Sequence, residues 1–209
     1  MGYYAFSNCQ SLITIELPCY IDHIGNYAFK NCKCIEKITI PNKITKLGRE
    51  IFSGCTNLKE VNIPNGVDTI EYYAFKNCIS LQYINLPNSI TSIMSGSFYG
   101  CENLVSITIP KSVMGIGKQV FSNCHKLSKF NGKYASKDGR CLIVNGTITS
   151  FAPANISKYS IPDEGHTIGE YAFYDCDSLT SITIPDSVTS IGAYAFKSCT
   201  GLTSITIPD

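Results

Sequence analysis

Apolar and polar positions along the chain recur with one long period. In the stretch Leu179 to Leu202, L-T-S-I-T-I-P-D-S-V-T-S-I-G-A-Y-A-F-K-S-C-T-G-L, Ile182 and Ile184 flank Thr183 in the alternation of a half-buried strand, and Pro185 stops the run. A turn at Asp186-Ser187 leads into V-x-x-I-G, where Val188 and Ile191 are expected to point inward and Gly192 to let the backbone reverse. The closing A-F-x-x-C sets a small residue, an aromatic and a thiol against the interior before polar residues restart the strand. The unit therefore predicts short extended segments joined by turns. No stretch carries helical periodicity long enough for a standard helix.

This unit repeats. Phe6, Phe29, Phe52, Phe75, Phe98 and Phe121 are 23 residues apart, as are Phe173 and Phe196. Cys follows three residues later each time, at Cys9, Cys32, Cys55, Cys78, Cys101, Cys124, Cys176 and Cys199, and Pro18, Pro41, Pro64, Pro87, Pro110, Pro162, Pro185 and Pro208 keep the same interval. One repeat cannot bury its own apolar side, so neighbours must stack into about nine coils, with equivalent strands aligned about 4.8 Å apart in a parallel sheet.

The pattern L-x-x-I-x-I-P-x-S-V-x-x-I-G-x-x-A-F-x-x-C resembles the 23-residue leucine-rich repeat of the BspA-like family, known from surface proteins of gut and oral bacteria and of some parasitic protists. The resemblance spans essentially the whole chain. It implies a right-handed solenoid with a parallel β-sheet on the concave face and short β, 3-10 and turn segments on the convex side. It also implies a non-enzymatic adhesion or protein-binding module of a cell-surface or secreted parent protein, engaging a host or matrix protein or a glycan. An intracellular or structural scaffold of the same fold is the alternative reading, and a thiol-dependent enzyme is a remote third.

The period breaks once. Phe121 and Phe173 are 52 residues apart, two periods and six residues more. Ile156, Tyr159, Ile161 and Pro162 take the strand positions of a degenerate repeat, Ile168-Gly169 keep the later ones, and Ser150-Phe151-Ala152-Pro153 replaces A-F-x-x-C. Asp138-Gly139 and Asn145-Gly146 are hairpin turn dipeptides, so residues 131–149 are expected to form an irregular hairpin insertion within a single solenoid domain, 1–209. Both ends cut through a repeat without a polar cap, which suggests a piece of a longer protein and predicts end-to-end association of the isolated chain.

Composition narrows the chemistry. A formal charge of +1, from 17 basic and 16 acidic residues, lacks the basic excess of a nucleic-acid binder. No 18-residue apolar run provides a membrane span, and Met1-Gly2-Tyr3-Tyr4 does not begin a signal peptide. Eight of the eleven cysteines are one repeat position, whose side chains run parallel and so fit buried, unpaired thiols better than disulfides. Cys19, Cys34 and Cys141 lie outside that column, the first two at exposed turns. Metal and cofactor sites are not expected, there being no C-x-x-C, no histidine column and no phosphate or calcium loop. His166 and Cys141 are the one thiol and imidazole pair that could meet. Asn145-Gly-Thr147 and Asn155-Ile-Ser157 match the glycosylation sequon, which matters only in a eukaryotic secretory host.

The remaining surface is the sheet face, because residues between the buried aliphatics alternate outward. It reads as short polar groups except for a variable stretch, and Glu16, Lys37, Glu60, Asn62, Tyr83, Asn85 and Lys129 are the candidate partner-selecting residues. A second column, two residues before each Phe, carries Tyr4, Tyr27, Tyr73, Tyr171 and Tyr194, either an aromatic contact ridge or a cover for the outer turns.

Overall fold

A computed structural model describes residues 1–208. Seven short strands follow one another along the concave side: β1 (Lys37–Thr39), β2 (Glu60–Asn62), β5 (Ser106–Ile109), β7 (Lys129–Gly132), β10 (Lys158–Ser160), β12 (Ser181–Thr183) and β14 (Ser204–Thr206). Paired strands are parallel and in coil register, with Ile38 opposite Val61, Ile107 opposite Phe130 and Ile182 opposite Ile205. A second column on the convex side holds β3 (Thr69–Ile70), β4 (Ser92–Ile93), β6 (Gly115–Ile116), β9 (Thr147–Phe151), β11 (Thr167–Ile168) and β13 (Ser190–Ile191). The rest of the convex side is turns. The 3-10 segments that the resemblance implied are absent among the described residues, as is any α-helix.

Each coil buries the residues that the alternation selects. Ile38, Ile107 and Ile182 point inward between exposed or half-exposed neighbours. The Phe rings from Phe6 to Phe121 stack nearly parallel, with neighbouring centroids 5.3 to 5.7 Å apart. Cys32 through Cys124 and Cys176 are buried and unpaired, whereas Cys9 is exposed and Cys199 half-buried in the outermost coils. Ile191 also departs from expectation. It is 43% exposed, while Ile70, Ile93 and Ile168 in the same column are buried, because no further coil packs on it within these residues.

The tight corner around each Phe has a backbone reason. The residue two before Phe has φ between 52° and 65° in all eight regular coils, whether it is Tyr27, Glu50, Tyr73, Gly96 or Gln119. The residue two after Phe is also left-handed, and there Asn or Gly predominates, the types that tolerate this region. Gly192 serves otherwise than expected. Its φ is ordinary, and it is required because an added Cβ would lie 2.7 Å from the backbone nitrogen of Glu170 in the preceding coil.

The break in the period is a hairpin of β8 (Cys141–Val144) with β9, antiparallel, closed by Asn145 (φ 51°) and Gly146 (φ 75°) as in a type I′ turn. Its second strand runs on to Phe151 and is shared with the solenoid: Thr147 and Ile148 pair with Thr167 and Ile168, and Phe151 packs on Phe173 at 4.8 Å. The loop before it covers the free edge of β7, where the Phe130 amide donates to the Gly139 carbonyl at 2.7 Å. The Arg140 guanidinium donates to the carbonyls of Ala152 and Ala154. Two core clusters meet at the insertion, one of Ile24 to Phe130 together with Leu142 and Ala152, the other from Cys141 to Ala195. Lys118 with Glu170, and His125 with Asp175 at 3.9 Å, bridge this seam on the surface.

Candidate partner-binding face

Six of the seven candidate residues lie on four consecutive coils of the concave side. The parallel register of β1 and β2 sets Lys37 beside Glu60 and Thr39 beside Asn62. The Lys37 ammonium lies 2.8 Å from the Glu60 carboxylate, both side chains 61% exposed, so water screens the pair and it contributes little to stability. Glu16 lies exposed one coil before, and Tyr83 and Asn85 one coil after. Tyr83 is 62% exposed, an aromatic ring presented from a strand position with no apolar packing requirement of its own. Lys129 stands apart, two coils further on, its stem against Gly139 of the insertion.

The concave ladder is interrupted around these residues. β1 and β2 form a two-stranded unit, and the coils carrying Glu16 and Tyr83 on either side join no ladder. Between Thr14–Leu17 and Lys37–Asn42 lies a cleft of about 530 Å³, with Glu16 and Lys37 at its sides. Backbone pairing of this kind has no side-chain signature, so neither the interruption nor the cleft carries a signal in the repeat pattern.

The other surfaces are less suited to binding. The Tyr column is not a free ridge: Tyr4 and Tyr27 stack face to face at 4.5 Å, Tyr171 and Tyr194 at 5.0 Å, and Tyr73 lies over Gly96. Stacking takes the inner ring faces of this column, while Tyr4 and Tyr194 at its two ends remain 56% and 53% exposed. Cys141 does not meet His166. It is fully buried, its Sγ 3.3 Å from the Tyr159 hydroxyl, which donates to Asp138 Oδ2 at 3.0 Å. His166 instead borders Gly146 in the hairpin turn. Burial pushes the Cys141 thiol up to about 12, so the thiolate a nucleophile needs is not present near neutral pH. Asp138 is the acidic neighbour that sequence spacing did not reveal. Cys19 is exposed as expected, whereas Cys34 is half-buried. Among the described residues no cluster of His, Cys, Asp and Glu has metal-binding geometry.

Comparison with known proteins gives one consistent likeness. The family described as the BspA type leucine rich repeat region matches in six copies, over residues 1–93, 22–136 and 147–209. A leucine rich cell surface protein of Faecalibacterium prausnitzii is similar over 99% of this chain and 64% of its own, at 28% identity and a TM-score of 0.76. The chain thus spans less than two thirds of that protein's structure. A leucine-rich repeat protein of Bacteroides ovatus shares the fold over 94% of this chain and 75% of its own, at 23% identity and a TM-score of 0.59. The leucine rich repeat protein of T. pallidum does so over 89% and 76%, at 24% identity and a TM-score of 0.60. No curated protein matches the sequence.

Proposed function

Because the chain belongs to the BspA-type leucine-rich-repeat family, we propose that it is a non-enzymatic binding module of a cell-surface protein, docking a host or matrix protein on its concave side. The observation that carries this reading is the exposed group around β1 and β2, where Tyr83, one coil after Glu60, shares the concave face with the Lys37–Glu60 pair. An exposed Tyr amid screened polar residues has the character of an interface anchor, giving a large contact area for little conformational entropy. The surface description of the F. prausnitzii protein supports the location. Immobilised extracellular-matrix and mucosal proteins, probed with the chain and with a Tyr83→Ala, Lys37→Glu variant, test it. Retention weakened about tenfold or more by the variant is expected for an anchor and a charged neighbour; equal retention would remove this face from consideration. The unpaired state of all eleven cysteines favours a second reading, a scaffold kept in a reducing compartment. Antibody labelling of intact cells separates the two.

A further inference from the structure

The strand ladder stops at β1, and it is interrupted again on both sides of the coil carrying Tyr83, where Ile84 and Leu86 nonetheless stay buried. Glu60 donates its amide to Glu36 O of the preceding coil at 3.3 Å, Ser181 to Ser157 O at 3.1 Å and Ser204 to Thr180 O at 3.2 Å. Lys37 holds the same position in its coil, and its amide has no backbone acceptor. The forward bonds from Ile40 to Asn62 O and from Ile184 to Thr206 O likewise have no counterpart from Leu17 to Thr39 O. The first coil is nonetheless held at its far corner, where Tyr4, Phe6 and Asn8 donate to Asn26, Ala28 and Lys30 carbonyls at 2.7 to 3.1 Å. It is joined at the corner and parted at the strand, and the parting is the cleft of about 530 Å³.

In a parallel pair, alternate residues of a strand face one neighbour. The bonds from Glu60 to Glu36 and from Ile40 to Asn62 place Ile38 toward β2, so the N–H and C=O groups of Lys37 and Thr39 face the cleft. Backbone groups so placed seek partners. The side chains around the cleft alternate as a strand's would: Thr14, Glu16, Lys37 and Thr39 are polar, and Ile15, Leu17 and Ile40 apolar. Ile15 and Leu17, which belong to the outermost coil, are only half-buried, whereas Ile38 and Ile40 one coil further in are 1% exposed.

We infer that this cleft takes an extended segment of a partner protein as an added strand beside β1. The segment's main chain bonds to Lys37 and Thr39, and its alternate apolar side chains cover Ile15 and Leu17. This rests on the concave-face reading above and specifies it: what is recognised is an accessible, extended chain. A glycan or a smooth folded surface offers no donors and acceptors at strand spacing.

The probe is an acetylated, amidated peptide copying Leu202–Pro208, a strand of the chain's own pattern, titrated into ¹⁵N-labelled protein. Saturable shifts are expected at the amides of Thr14 to Leu17, Lys37 and Thr39, with slowed hydrogen exchange at the last two. N-methylation of alternate peptide residues should weaken binding about tenfold, as lost main-chain bonds require. Thr39→Pro removes a cleft-facing amide without touching the β1–β2 bonds and should weaken the peptide to a similar degree, about tenfold. The N-methylated peptide reads the same bonds on unmodified protein if that variant fails to fold. Absent shifts, or affinity indifferent to N-methylation, would overturn strand addition. If matrix-protein retention is lost with Tyr83→Ala but untouched by Thr39→Pro, the concave-face reading stands and strand addition falls.

Discussion

The thiol of Cys78 donates to the carbonyl oxygen of Phe52, 3.2 Å away in the preceding coil. Cys55 does the same to Phe29 at 3.1 Å and Cys101 to Phe75 at 3.2 Å. The position needs a side chain small enough for the interior and able to give that carbonyl a second donor, which Cys does and Ala does not. Cys78→Ala should therefore cost about 1–2 kcal/mol, from the lost sulfur volume and the weak bond together. Urea unfolding measures it, and a neutral substitution would mean that the thiol is only filling space.

Burial also sets how these thiols respond to pH. Desolvation pushes Cys32 up to about 11 and Cys55, Cys124 and Cys141 up to about 12, from an ordinary value of 9.0. The folded state holds these protons more tightly than the unfolded chain, so their contribution is complete below pH 9 and is lost as pH rises from there toward 12. The melting temperature should hold level up to that point and then fall. At pH 8, a thiol reagent should label the exposed Cys9 and Cys19 quickly, and all eleven cysteines only after unfolding.

Phe75 is fully buried between Phe52 at 5.5 Å and Phe98 at 5.3 Å. Truncation to Ala opens the stack on both sides and should cost roughly 3–5 kcal/mol. Denaturant titration with an unchanged slope would confirm a cavity effect; a loss below about 1 kcal/mol would contradict the stacked geometry.

Tyr159 ties the insertion to the second core cluster through its hydroxyl. Tyr159→Phe leaves the ring packing on Phe151 and removes the bond to Asp138, at an expected cost of about 1–2 kcal/mol. Partial burial raises the Asp138 carboxyl, but hydrogen bonds from the Ser136 hydroxyl, the Arg140 amide and Tyr159 outweigh it and hold the group below the usual carboxylate range. That contribution is present above the unfolded carboxylate pKa and is lost as pH falls through the lower folded value. The wild type should thus lose stability in acid more steeply than Tyr159→Phe, a difference that thermal melts at pH 5 and pH 3 would reveal.

Much of this was legible in the chain because stacking makes each coil repeat its neighbour's environment. The Phe, Cys and Ile columns are inward for that reason, and the Lys37–Glu60 contact follows from two residues 23 apart sharing one register. What was not legible depends on the backbone. Nothing about Tyr27 or Gln119 as residue types announces a left-handed φ, and the open edge of β1 is a matter of which amides find carbonyls. Nothing in the sequence separates Cys141 from His166 across the irregular segment, whereas the hairpin turns the thiol inward to Tyr159.

The seam at the hairpin has a consequence for how the array finds its order. Within each half, coils are so alike that sliding the stack by one whole repeat returns Phe to Phe and Cys to Cys, and the energy of the wrong arrangement differs little from that of the right one. The hairpin removes this translational degeneracy. Arg140, Tyr159 and Asp138 make contacts that exist at one address only, so a chain that has skipped a coil meets its mismatch there, and the interruption acts as the origin from which the coils on both sides are counted.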